Sequence, residues 1–90
     1  MEKFGYKAVV SGTVQGVGFR YFTAKKAKQL NITGYAKNLS NGTVEVLMFG
    51  TELQLQNLLD WLGKGPQMSS VIDVKMTPIP FSEQVGFSCY

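Results

Sequence analysis

The chain has 90 residues, nine Lys and Arg against six Asp and Glu, a formal net charge of +3, one cysteine and no histidine. Residues 1–90 are therefore read as one domain on one core, with no intramolecular disulfide, no cysteine-based metal site, and neither the commonest metal ligand nor the commonest general base. No stretch resembles a signal peptide or is long enough to span a bilayer, so a cytoplasmic setting without membrane contact is expected, and the mild charge favours small anions over nucleic acid.

Tyr6–Ser11 alternates apolar and polar residues and is expected to form a first strand, with Tyr6, Ala8 and Val10 on one face. A loop with three glycines follows, Gly12-Thr13-Val14-Gln15-Gly16-Val17-Gly18-Phe19-Arg20. Helical spacing then runs from about Tyr21 to Leu30, with Phe19, Phe22 or Thr23, Ala27 and Leu30 inward and Lys25, Lys26 and Lys28 on a solvated side. Asn31 suits the left-handed residue that ends a helix, and Ile32 can pack back on the last turn. Tyr35–Leu39 and Thr43–Phe49 read as two strands joined by a hairpin, because Asn41-Gly42 tolerates positive φ at both positions.

Thr51-Glu52-Leu53-Gln54 fits a capping box, and Leu55, Leu58, Leu59 and Leu62 give the stripe of a second amphipathic helix. That helix stops at Gly63 or Gly65. Val71–Thr77 is expected as a fourth strand with Ile72, Val74 and Met76 on one face, and Val85–Tyr90 as a short edge strand. The order strand, helix, strand, strand, helix, strand is the ferredoxin-like split βαβ pattern. It implies an α+β sandwich, an antiparallel sheet with both helices on one face.

The glycine loop is the place for chemistry. A loop that opens a helix can aim several N–H groups at one anion, and Arg20 adds a permanent planar fork of donors. The Walker pattern fails, since its second glycine would fall at Val17; the dinucleotide pattern fails at Phe19, Arg20 and Tyr21. A Cys-x5-Arg phosphatase would need cysteine where Val14 stands, and a Ser–His mechanism needs the missing histidine. A non-covalent oxyanion site survives. Asn38, at the end of the second strand, is either a turn-supporting residue or an amide facing this cradle.

Taken together, Gly12 to Arg20 and Gly34-Tyr35-Ala36-Lys37-Asn38-Leu39-Ser40-Asn41-Gly42-Thr43-Val44-Glu45-Val46, with Gly65-Pro66 after the second helix, resemble the acylphosphatase family. The string Val-Gln-Gly-Val-Gly-Phe-Arg is specific, and the likeness extends over essentially the whole chain. It implies hydrolysis of the carboxyl–phosphate bond of acyl phosphates. By that resemblance Arg20 is the phosphate-binding arginine, Asn38 orients the attacking water, and Gln15, Gly16, Val17, Gly18 and Phe19 form the phosphate cradle with Arg20. Tyr35, Lys37 and Asn31 stand where tryptophan, arginine and glycine are frequent in the family. The implied partners are a small-molecule acyl phosphate and product inorganic phosphate, with no metal or other cofactor, no nucleic acid and no membrane, for a monomer.

Rival readings are a non-catalytic ferredoxin-like binding module and a carbamoyl-phosphate-handling acylphosphatase-like module of a larger enzyme; the chain's length is expected to disfavour the second. An RNA-binding version would need stacking aromatics on the central strands, and Val44-Glu45-Val46 matches that poorly. Trp61 is expected to pack on the second helix, Met48, Met68 and Met76 to fill core or edge, and Cys89 to serve as a small strand hydrophobe.

Overall fold

The computed structural model describes residues 2–90, which form β1 (Phe4–Thr13), α1 (Phe19–Gln29), β2 (Thr33–Asn38), β3 (Val44–Gly50), α2 (Glu52–Lys64), β4 (Ser70–Ile79) and β5 (Phe87–Cys89). The sheet order is β4-β1-β3-β2-β5. Four strands are antiparallel, as the split βαβ pattern requires, and β5 extends the sheet by running parallel to β2, with Phe87 beside Gly34 and Cys89 beside Ala36.

Strand periodicity positions the core. Ala8, Val10, Ala36, Val44, Val46 and Met48 alternate onto one face and are fully buried. Against them lie Phe19, Ala24 and Ala27 of α1 and Leu55, Leu58 and Leu62 of α2, all in one apolar cluster. Each of those leucines contributes about 1.5–3 kcal/mol by leaving water. α1 packs on β2 and β5, α2 chiefly on β4 and β3. Thr23 takes the inward position of α1 and Phe22 is exposed, which settles the alternative left by the spacing.

The helix signals act as their chemistry requires. Thr51 Oγ1 accepts from the Gln54 N–H and Gln54 Oε1 accepts from the Thr51 N–H, so both halves of the capping box form. α2 ends at Gly65, whose N–H donates to the Trp61 carbonyl at 2.8 Å. Asn31 is left-handed at φ 59°, and the Ile32 N–H returns to the Ala27 carbonyl at 2.9 Å while its side chain is buried. α1 begins at Phe19 rather than Tyr21, which places Arg20 in its first turn.

Three expectations change. The hairpin between β2 and β3 forms, but Gly42 alone takes positive φ, 90°. Asn41 contributes through its side chain instead, Oδ1 accepting from the Thr43 N–H and hydroxyl at 3.1 and 2.6 Å, the local bonding that makes asparagine a turn residue. On β4, the register with β1 slips between Ser11 and Gly12: Asp73 pairs with Ser11 and Val71 with Gly12, leaving Ile72 unpaired. This bulge reverses the alternation, so Val71 joins Val74 against the core while Ile72 is 81% exposed. Met68 is exposed in the turn before β4 and fills neither core nor edge, whereas Met76 stands on the edge strand as expected, 44% exposed.

The return from β4 to β5 places the Phe81 ring edge-on to Phe49, centroids 5.8 Å apart, and Phe49 is buried although it points away from the helices. On the same open face the Tyr35 hydroxyl donates to Glu45 Oε2 at 2.8 Å. Burial, the bond to Glu45 and the negative charge of Glu45 hold the Tyr35 hydroxyl above its ordinary pKa.

At Gly34 φ is 141° and a Cβ would overlap the Leu47 carbonyl oxygen of β3. The contact is backbone on backbone, so no rotamer change relieves it. Gly34→Ala is expected to cost at least about 3 kcal/mol, read as a lower midpoint in urea unfolding or as failure to fold.

Candidate active site

The loop between β1 and α1 is pinned at both ends by apolar side chains, Val14 and Phe19, each 1% exposed. Between them Gly16 and Gly18 take φ of 76° and 78°, a left-handed geometry open to glycine at little cost. Gly18 is the N-cap of α1, with no side-chain cap and no acidic residue in the first turn. The positive end of the helix dipole therefore faces the loop with no acidic side chain in its first turn. Among the described residues, the N–H groups of residues 15–20 donate to no backbone carbonyl in a turn or cap.

Gln15 does more than line this loop. Its Nε2 donates one hydrogen to the Leu39 carbonyl at 2.8 Å and the other to the Thr43 carbonyl at 2.9 Å. Both amide hydrogens are thus spent on the β2–β3 hairpin, so the side chain is a strut and its backbone N–H is what remains for a ligand. The strut brings the loop to the end of β2, where Asn38 stands.

Arg20 and Asn38 meet through a third residue. Arg20 Nη1 donates to the Tyr90 main-chain oxygen at 2.7 Å, and the Asn38 N–H donates to the same oxygen at 3.2 Å. The Tyr90 N–H in turn donates to the Ala36 carbonyl at 2.8 Å, and its ring lies edge-on to Tyr35 at 5.6 Å. One guanidinium nitrogen is held in this way, while a guanidinium carries five N–H donors in all. Asn38 Oδ1 is buried with no hydrogen-bond partner among the described residues. Leaving such an acceptor unpaired costs about 1–3 kcal/mol.

A cleft of about 270 Å³ opens beside the loop, lined by Val14, Gly16, Gly18, Phe19, Arg20, Tyr21 and Cys89. Cys89 lies in β5, as a strand residue was expected to, but it is exposed here, its thiol directed at the Arg20 carbonyl at 3.4 Å. Among the described residues no three His, Cys, Asp or Glu side chains cluster as a metal site would need, and no helix is long and apolar enough to cross a membrane. Trp61 packs as expected, its ring 6.1 Å from that of Phe19 beneath the loop. The parts played by Tyr90 and Cys89 are hidden in the sequence, since nothing there brings β5 beside the start of α1.

The family model for acylphosphatase matches residues 6–89. An acylphosphatase of Psychromonas ingrahamii is 44% identical over 87 residues, covering 97% of this chain and 97% of that protein. Another, from Vibrio cholerae serotype O1, is 53% identical over 75 residues, 83% of this chain and 82% of its own. Among solved structures, acylphosphatase from Bacillus subtilis superposes with a TM-score of 0.94 at 35% identity, covering 97% of this chain and 98% of its own.

Gln15→Ala removes two bonds that tie the loop to the hairpin. It is expected to lower stability by about 1–2 kcal/mol in urea unfolding. Binding of inorganic phosphate, followed by calorimetry, is expected to weaken with it.

Proposed function

The chain belongs to the acylphosphatase family and is a hydrolase of acyl phosphates, and we propose that it works by a phosphoryl clamp built from the amides of residues 15–20 and the Arg20 guanidinium. The observation that carries this reading is the glycine loop's set of unspent N–H groups at an uncapped helix start, with Arg20 in the first helical turn. Phosphoryl transfer asks mainly for positioning and charge stabilisation, and this arrangement supplies both.

Asn38 orients the nucleophile. Its unpartnered, buried Oδ1 accepts one O–H of a water, aiming the oxygen lone pair at phosphorus. The water oxygen forms the new P–O bond as the bond from phosphorus to the acyl oxygen breaks. The electron pair of that bond leaves on the carboxylate, and the water's proton passes to a phosphate oxygen. An amide cannot take the proton, so no side-chain base is required. Nor is an acid, because the departing carboxylate has a pKa of roughly 4 to 5 and leaves as an anion. Backbone amides, Arg20 and Asn38 suffice for this reaction without a metal or cofactor. We place the protein in the reducing cytoplasm, as a monomer of one domain, on the strength of its single cysteine and its self-contained core.

Arg20→Lys is expected to fold and to lose most phosphate affinity and turnover, because a point charge does not replace the fork that Tyr90 orients. Steady-state hydrolysis of benzoyl phosphate with EDTA present checks this; near-wild-type turnover would overturn the clamp. Asn38→Ala is expected to lower kcat by at least about 100-fold while inorganic phosphate still binds. Loss of phosphate binding in that variant would remove Asn38 from the water-positioning role.

A further inference from the structure

The cleft at the loop does not end at Arg20. A second hollow of about 370 Å³ shares Tyr21 and Cys89 with it and continues along α1, lined further by Ala24, Lys25, Lys28 and Phe87. Tyr21, Lys25 and Lys28 are spaced i, i+4 and i+7, so they rise along one face of the helix that carries Arg20. Neither hollow is lined by an acidic residue, and α1 contains none anywhere along Phe19–Gln29. Two ammonium groups thus border a groove whose near end is the phosphoryl site. Lys26, their neighbour in sequence, turns the other way, toward Asp60, Trp61 and Lys64.

We propose that this groove receives the acyl part of the substrate and that Lys25 and Lys28 select acyl groups bearing a second negative charge. The reading rests on the phosphoryl clamp at the loop. At about 1.5 Å of rise per residue, Lys25 stands about 7.5 Å and Lys28 about 12 Å along the helix from Arg20. Lysine side chains reach back over part of that distance, so a carboxylate at the end of a four-carbon acyl chain comes within range of Lys25. Longer chains reach Lys28. The exposed Tyr21 ring lies between and offers an apolar surface to the methylene stem. A neutral acyl group fits the groove but gains nothing from its far end.

The test compares benzoyl phosphate with succinyl phosphate for the wild type, Lys25→Gln/Lys28→Gln and Lys26→Gln. The double variant is expected to raise KM for succinyl phosphate about five- to tenfold, with kcat and both benzoyl phosphate parameters within about twofold of wild type. Added salt should shrink the difference. Lys26→Gln removes one of the same charges from the opposite side of the helix and is expected to leave both substrates alike. An equal rise in KM in Lys26→Gln would assign the effect to net charge and overturn the groove. So would an unchanged KM for succinyl phosphate in the double variant while wild type turns over benzoyl phosphate normally. Failure of the wild type to hydrolyse benzoyl phosphate would instead overturn the clamp, and the groove with it.

Discussion

One primary amide joins the two halves of the candidate site. Gln15 spends both Nε2 hydrogens on the carbonyls of Leu39 and Thr43, two main-chain groups that flank the β2–β3 turn. The glycine loop gains a fixed position without needing secondary structure of its own, because a residue in its middle is tied to a rigid hairpin. Everything proposed for the site depends on this tie. It sets the loop amides relative to Asn38, and the shared Tyr90 oxygen then sets Arg20 relative to both. A site assembled from β1–α1, β2 and β5 would otherwise be only as precise as its most mobile loop.

Much of the fold was legible because its signals are local. The capping box at Thr51 and Gln54, the left-handed cap at Asn31 and the leucine stripe of α2 each act within a few residues, so spacing alone reveals them. The β4 bulge was not legible, because it arises from how Gly12 pairs with Val71 across the sheet rather than from anything in β4 itself. The strand sequence alternates cleanly, and one unpaired Ile72 inverts which residues face the helices. Asn41 shows a milder version of the same limit. Asn-Gly correctly marks a turn, but whether asparagine serves by its backbone or its side chain depends on where Thr43 lies.

The candidate site divides along the same line. The loop and Arg20 lie within one continuous stretch and can be read as a unit, whereas Asn38 drew its meaning from a family resemblance. The structure brings its N–H and the Arg20 guanidinium onto one oxygen. Gln15 adds a part that its place in the cradle does not reveal: its side chain belongs to the scaffold, while its backbone N–H stays with the loop. Cys89 is not legible because only the parallel docking of β5 beside β2 carries that strand under the start of α1.

The donor set fits the chemistry expected of it. A clamp made of main-chain amides takes its direction from backbone torsions, so its dipoles are already aligned before a phosphoryl group arrives and need not reorganise as charge develops. The cost is a helix start without a side-chain cap and a buried acceptor, Asn38 Oδ1, without a partner among the described residues. Each is unfavourable in the free protein, and the proposed ligands, an anion at the helix start and a water at the amide, would relieve it. The apolar cluster under both helices supplies the stability that tolerates these features. An acyl phosphate matches such a site because its leaving group demands nothing more. A substrate with a poor leaving group would need a proton donor, and neither Arg20, Asn38 nor an amide N–H can serve as one at neutral pH.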